Sequence, residues 1–83
     1  MNPDLERSEE ELGDALTRQA LLNDRCTELT EALELARARG QAAEACELAA
    51  QLDVVEARRT RAMALAQGAS QRLSQLRHHL IND

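Results

Sequence analysis

The chain contains no Phe, Tyr or Trp among its 83 residues. Aromatic side chains bury the largest area per residue, so any hydrophobic core must be built from Leu and Ala instead. A chain this short forms at most one small domain. We therefore expect a fold with a thin core that gains further stability from a partner chain.

Lysine is absent as well, and ten arginines stand against fifteen acidic residues, which gives a formal net charge of −5. Proteins that bind nucleic acids present clustered basic residues, so this balance argues against a nucleic-acid partner. No apolar run approaches the ~20 residues of a membrane span, and the N-terminus lacks the basic and apolar regions of a signal peptide. These absences predict a cytoplasmic protein with no membrane span.

Residues able to carry chemistry are scarce. The two histidines, His78 and His79, are adjacent, so on a helix they point about 100° apart and do not converge on one metal ion. The sequence has no catalytic Ser/His/Asp or Cys/His set and no Gly-rich phosphate loop. We expect no catalytic residue, no metal, no cofactor and no small-molecule substrate, and therefore a protein that is not an enzyme.

Helix-breaking residues are rare and lie where helices would begin and end. Pro3 follows Asn2, which is a good helix cap, and Gly40 is a natural end for a first helix. Ser8 offers a second possible start through a Ser-x-x-Glu capping box. The spacing predicts one domain, 1–83, with helix one at about 3–39, a turn at about 39–41 and helix two at about 42–80.

Leu and Ala recur in both halves with the seven-residue period of a coiled coil, whose core positions are a and d. We call these positions the seam: Leu5, Ser8, Leu12, Ala15, Gln19, Leu22, Cys26, Leu29, Leu33 and Ala36 in the first half, and Ala45, Leu48, Leu52, Val55, Arg59, Ala62, Ala66, Ala69, Leu73 and Leu76 in the second. Folding back at Gly40 places each a residue level with a d residue of the other half. The sequence therefore predicts an all-α fold, a two-helix antiparallel coiled-coil hairpin with its turn at Gly40.

The charges favour this hairpin over one helix that runs through Gly40 and pairs with a second copy. The hairpin lays the acidic segment 4–14 beside segment 57–82, which carries arginines and no acidic residue. Acidic residues open both helices and arginines lie near their ends, as the helix dipoles favour. A continuous helix would lose only about 1 kcal/mol at Gly40 relative to Ala, so the alternative stays open.

The predicted register also places two cysteines and two glycines. Cys26 and Cys46 lie about nine residues apart along the axis, roughly 13 Å, which is too far for an internal disulfide. Gly13 and Gly68 lie level on the two helices. We expect these glycines to weaken both helices at the same height. They could also allow the two backbones to approach closely, or form a hinge between a firm half near the turn and a looser open end.

Apolar residues outside the seam exceed what helix propensity explains. Alanine is the best helix former, which accounts for much of an alanine stripe on the second helix. Propensity does not account for large apolar side chains on surfaces that an isolated hairpin exposes, and such side chains indicate a partner surface. We expect partner contacts at Leu16, Leu21, Leu35, Ala50, Val54, Ala57, Met63 and Leu65.

The turn and the start of the second helix, Leu35-Ala36-Arg37-Ala38-Arg39-Gly40-Gln41 through Leu52, resemble the YscE/SsaE-type co-chaperones of bacterial type III secretion systems. The resemblance lies in size, turn placement and scarcity of aromatic residues. This chain is longer at both ends than the shortest members. The resemblance implies a cytoplasmic helical hairpin that works with a second chaperone to keep the needle subunit soluble.

The residues predict a non-enzymatic hairpin that binds another protein by packing helix on helix, and the resemblance implies a type III secretion co-chaperone as the specific role. The alternative is a structural module that binds itself, two hairpins forming a four-helix bundle. Both functions use the same apolar residues outside the seam, so the sequence leaves both open.

Overall fold

The computed structural model describes residues 2–82, which form two α-helices, α1 (Pro3–Ala38) and α2 (Ala42–Asn82). The helices pack against each other as an antiparallel pair in a rod of 64 × 15 × 14 Å. The structure confirms the predicted all-α hairpin, and no helix runs through Gly40. α1 ends one residue earlier than expected and α2 ends two residues later. Met1 and Asp83, the ends of the predicted 1–83 domain, lie outside the described residues.

The first helix begins at the earlier of its two predicted starts. The Asn2 side-chain oxygen accepts hydrogen bonds from the backbone N–H groups of Asp4, at 3.0 Å, and Leu5, at 3.3 Å. Pro3 occupies the first helical position, where its missing N–H is harmless. Ser8 does not cap a helix; it lies inside α1 and is buried in the seam.

The turn is a Schellman motif centred on Gly40. The Gly40 N–H donates to the Arg37 carbonyl at 3.1 Å, and the Gln41 N–H donates to the Ala36 carbonyl at 2.9 Å. Gly40 has a φ of 71°, the left-handed conformation that this motif requires and that glycine adopts without steric cost. The Gln41 carbonyl then accepts from the Ala45 N–H at 2.9 Å, so α2 starts directly after the turn.

The core of the hairpin is the predicted seam. All twenty a and d residues are buried or half-buried. Over residues 2–81, the others in these two classes are Asn2, Ala32, Ala49 and Gly68. The apolar residues buried most completely are Cys26, Leu29, Leu33, Ala36, Ala62, Ala66, Ala69 and Leu73. The first four lie on α1 towards the turn, and the last four lie on α2 towards the open end. At each of these levels only one of the two helices contributes a buried apolar side chain, so the hydrophobic core is thin along the whole seam.

Two ion pairs join the helices at the open end. Arg72 Nη2 lies 3.2 Å from Glu11 Oε2, and Arg77 Nη2 lies 3.5 Å from Glu9 Oε1. They unite the acidic start of α1 with the arginine-bearing end of α2, the side-by-side arrangement expected from the sequence. All four side chains are about half-exposed, so each pair stabilises the fold by at most about 1 kcal/mol.

The predicted close approach of the backbones at Gly13 and Gly68 is wrong. A Cβ atom added to Gly13 would meet no atom within 4 Å, and one added to Gly68 would meet only the Arg72 Nη1 atom at 3.5 Å. Neither glycine belongs to the seam, so neither faces the opposite helix directly. The absence of a β-carbon is therefore not required for packing at either position.

The cysteines occupy different environments. Cys26 is buried in the seam, Cys46 is exposed on α2, and both are free thiols. The two free thiols agree with the expectation that no internal disulfide forms. An internal disulfide would require the two helices to slide past each other by more than two turns.

Candidate protein-binding surfaces

All eight predicted contact residues are exposed. The six large ones keep between 41% and 65% of their surface accessible, with Met63 the lowest and Leu21 the highest. Ala50 and Ala57 are exposed as well. Leu80 and Ile81 add further exposed apolar surface at the end of α2.

The structure divides these residues between two sides of the hairpin. Met63 and Leu65 are two residues apart on α2, and the rotation of an α-helix turns them about 160° from each other. Each points to one side of the seam and lines a different cleft. The eight residues therefore do not form one continuous contact surface.

On one side, Leu16 of α1 and Met63 of α2 line the same cleft beside the seam. They belong to a cleft of uncharged residues, here called the Leu16–Met63 cleft: Leu12, Leu16, Gln19, Met63, Ala66, Gln67 and Ser70. No ionisable side chain lines it, so a partner would be held there by apolar contact and by amide or hydroxyl hydrogen bonds. Nearer the turn on this side, a second cleft is rich in alanine and includes Ala42, Ala45 and Ala49.

On the other side, Leu65 lies in a long groove formed by three adjoining clefts. Neighbouring clefts share residues: Arg18, Ala62 and Leu65 join the first two, and Glu11 and Arg72 join the second to the third. On α2 the groove extends from Arg58 to His79, roughly 31 Å at 1.5 Å per residue. We call it the arginine groove. Its lining comprises Asp4, Arg7, Ser8, Glu11, Ala15, Arg18, Leu22, Arg58, Arg61, Ala62, Leu65, Ala69, Arg72, Gln75, Leu76 and His79.

The arginine groove is basic although the chain is acidic overall. Its lining includes five arginines and two carboxylates, Asp4 and Glu11. Glu11 is paired with Arg72, whereas the other four arginines form none of the ion pairs found within residues 2–82. Three of those four, Arg18, Arg58 and Arg61, surround the same cleft. The groove therefore offers unneutralised positive charge beside an apolar floor.

The remaining predicted residues line none of these clefts. Leu21, Leu35 and Val54 occupy position c of the repeat, on the same side as the arginine groove, and extend the exposed apolar surface there. Ala50 and Ala57 occupy position f, which faces directly away from the seam. They lie on the outer surface of α2, separate from the arginine groove and from the Leu16–Met63 cleft.

The arginine groove was missed in the sequence analysis, although the sequence carries its signal. Seven of the ten arginines occupy positions c or g of the repeat: Arg7, Arg18, Arg25, Arg39, Arg58, Arg61 and Arg72. In an antiparallel pair the g positions of both helices flank the same side of the seam. The pattern of apolar residues alone does not reveal this grouping of arginines.

The structure also bears on metal binding and membrane insertion. Within residues 2–82, no three or more His, Cys, Asp or Glu side chains are grouped so that they could hold a metal ion. Over the same residues, neither helix contains a stretch sufficiently long and apolar to cross a bilayer.

Comparison of the chain with protein-family models, with curated proteins and with solved structures gives no match in any of the three.

Proposed function

We propose that this chain is a non-enzymatic protein-binding module that acts by packing its helices against a helix of a partner. The observation that supports this most is the exposure of six large apolar side chains, each 41–65% accessible, on a hairpin with a thin core. Such side chains on a small protein mark an interaction surface when they are grouped. Here they are grouped along the two sides of the seam.

The energetics fit a partner that covers several of these side chains at once. Full burial of a Leu, Val or Met side chain stabilises by about 1.5–3 kcal/mol, so covering the exposed half contributes on the order of 1 kcal/mol each. Association itself costs at least about 4 kcal/mol. A partner helix must therefore cover one whole side of the hairpin, because a contact with one or two leucines would not hold it.

The narrower role that we propose is that of a cytoplasmic co-chaperone in bacterial type III secretion, which keeps a helical secretion subunit or its chaperone soluble. Its support is the resemblance in size, turn placement and aromatic-poor composition. Co-expression with a needle subunit and its second chaperone tests this role. A soluble complex containing the hairpin is expected. If the subunit stays insoluble, the narrower role is wrong and the protein-binding function remains.

The second candidate is self-association into a four-helix bundle of two hairpins, and the same exposed side chains favour it. Light scattering after size-exclusion chromatography, over a range of concentrations, separates the two candidates. Detection must use refractive index because the chain has no Trp or Tyr. A monomer is expected for a module that binds another protein. A stable mass of two chains would support the structural candidate instead.

A further inference from the structure

We propose that the arginine groove binds an acidic amphipathic helix of a partner protein, one that presents Leu-type residues along one stripe and Asp or Glu on both flanks. This inference rests on the proposed protein-binding function and assigns it to one side of the hairpin. It also specifies the chemistry of the partner.

The floor of the groove suits a helix. Leu22 and Leu65 supply apolar contact, and the small side chains of Ala15, Ala62 and Ala69 let a partner backbone approach closely. The length of roughly 31 Å corresponds to a partner helix of about 20 residues. An apolar stripe at the spacing of an amphipathic helix would cover this floor.

The walls of the groove specify the charge of that helix. Arg18, Arg58 and Arg61 are exposed and make no ion pair within the described residues. A partner lacking acidic residues would leave three guanidinium groups partly desolvated beside the contact, which is unfavourable. Carboxylates on the flanks of the partner helix would pair with them, in many cases through two parallel hydrogen bonds each.

The same features disfavour other occupants. Phosphate backbones would satisfy the arginines but leave the apolar side chains of Leu22 and Leu65 uncovered. The first turns of α1 in a second copy cannot serve as the bound helix, because the apolar residues beside Glu6, Glu9 and Glu10 already form the seam. The Leu16–Met63 cleft has no charged wall and shows no preference for an acidic helix.

The test uses two fluorescein-labelled helical peptides of about 20 residues with the same Leu stripe. One carries Glu on both flanks and the other carries Gln at those positions. Fluorescence anisotropy with the full chain should show that the Glu peptide binds at least about tenfold more tightly at low salt, and that high salt reduces this preference.

Matched variants then locate the site. Arg58→Gln with Arg61→Gln should weaken binding of the Glu peptide by about tenfold, whereas Arg37→Gln with Arg77→Gln removes the same charge on the other side of the seam and should change it by less than about twofold. Leu65→Ala should weaken binding of both peptides. Met63→Ala is its control on the other side of the seam and should leave binding of both peptides unchanged. Circular dichroism checks that every variant remains helical.

The results that would overturn the inference are distinct. Equal losses in the two arginine pairs would mean that the peptide responds to net charge alone. Binding of both peptides without preference, and without dependence on Leu65, would leave the protein-binding function standing and remove the arginine groove as its site. Stronger binding of a single-stranded oligonucleotide that depends on Arg58 and Arg61 would indicate a nucleic-acid partner. If neither peptide binds, the inference is wrong. If the chain is also a stable dimer, self-association replaces the proposed function.

Discussion

Arg72 on α2 and Glu11 on α1 form an ion pair with 3.2 Å between Nη2 and Oε2, across 61 positions of sequence. Their side chains are 56% and 48% exposed, so water screens the attraction and the pair contributes about 1 kcal/mol or less. Leu29, by contrast, is only 3% exposed in the seam. The difference predicts that apolar packing, and not this ion pair, holds the two helices together.

Leu29→Ala should lower the free energy of unfolding by about 2–4 kcal/mol, because it removes a buried side chain and leaves a cavity. Urea unfolding followed by circular dichroism at 222 nm measures this, since the chain has no aromatic fluorophore. Leu21→Ala is the matched control, the same change on the same helix at a side chain 65% exposed, and should cost less than about 0.5 kcal/mol. Similar losses in both variants would show that the seam does not carry the stability.

Gly13→Ala and Gly68→Ala should each raise the free energy of unfolding by about 0.5–1 kcal/mol. The added methyl group meets open space at Gly13 and only the mobile end of Arg72 at Gly68, while Ala loses less backbone entropy than Gly in a helix. Thermal unfolding of both single variants and of the double variant measures the effect. A loss of stability in either variant would show that the site requires glycine.

The same double variant tests the hinge interpretation of these glycines. If they weaken the helices at one height, hydrogen exchange in the natural chain should be faster on the open-end side of Gly13 and Gly68 than on the turn side. The double variant should reduce that difference. Equal protection on both sides in the natural chain would remove the hinge.

Gly40→Ala should lower the free energy of unfolding by about 1 kcal/mol or slightly more, because an L residue with a side chain is strained at a φ of 71°. No atom outside Gly40 and its two chain neighbours lies within 4 Å of an added Cβ, so the loss comes from strain in the local backbone and not from a clash with the rest of the hairpin. Gly40→Asn should lose less, since Asn tolerates the left-handed conformation. Urea unfolding measures both, and light scattering serves as the control. If the natural chain is a monomer, a dimer of Gly40→Ala with unchanged helicity would indicate the continuous-helix alternative.

Cys46 should react with a thiol reagent such as dithiobisnitrobenzoate at least about tenfold faster than Cys26. Cys46 is exposed, whereas Cys26 is 4% exposed and reacts only when the seam opens. The single variants Cys26→Ala and Cys46→Ala show which kinetic phase of the reaction belongs to which cysteine. In denaturant, both thiols should react at similar rates. Equal rates in the folded chain would mean that the seam near Cys26 opens freely.

The described seam, both helix starts and the turn could be predicted from the sequence because each depends on local rules. Asn2 caps through its own side chain, Gly40 alone adopts the turn conformation without strain, and the a and d spacing follows from the rotation of a helix per residue. The exposure of Leu16, Val54 and the other contact residues follows from the same spacing, since a residue outside a two-helix seam has nothing to cover it.

The repeat places each exposed residue on one side of the seam, but only the tertiary structure decided which of them line a common cleft. Met63 shares an uncharged cleft with Leu16, whereas Leu65 shares a cleft with Arg18, Arg58 and Arg61. Gly13 and Gly68, level in the register, do not bring the backbones together. These outcomes depend on how the two helices rotate about their own axes as they pack, and on which side chains from opposite helices then meet. That rotation is a property of the packed pair, and neither helix determines it alone.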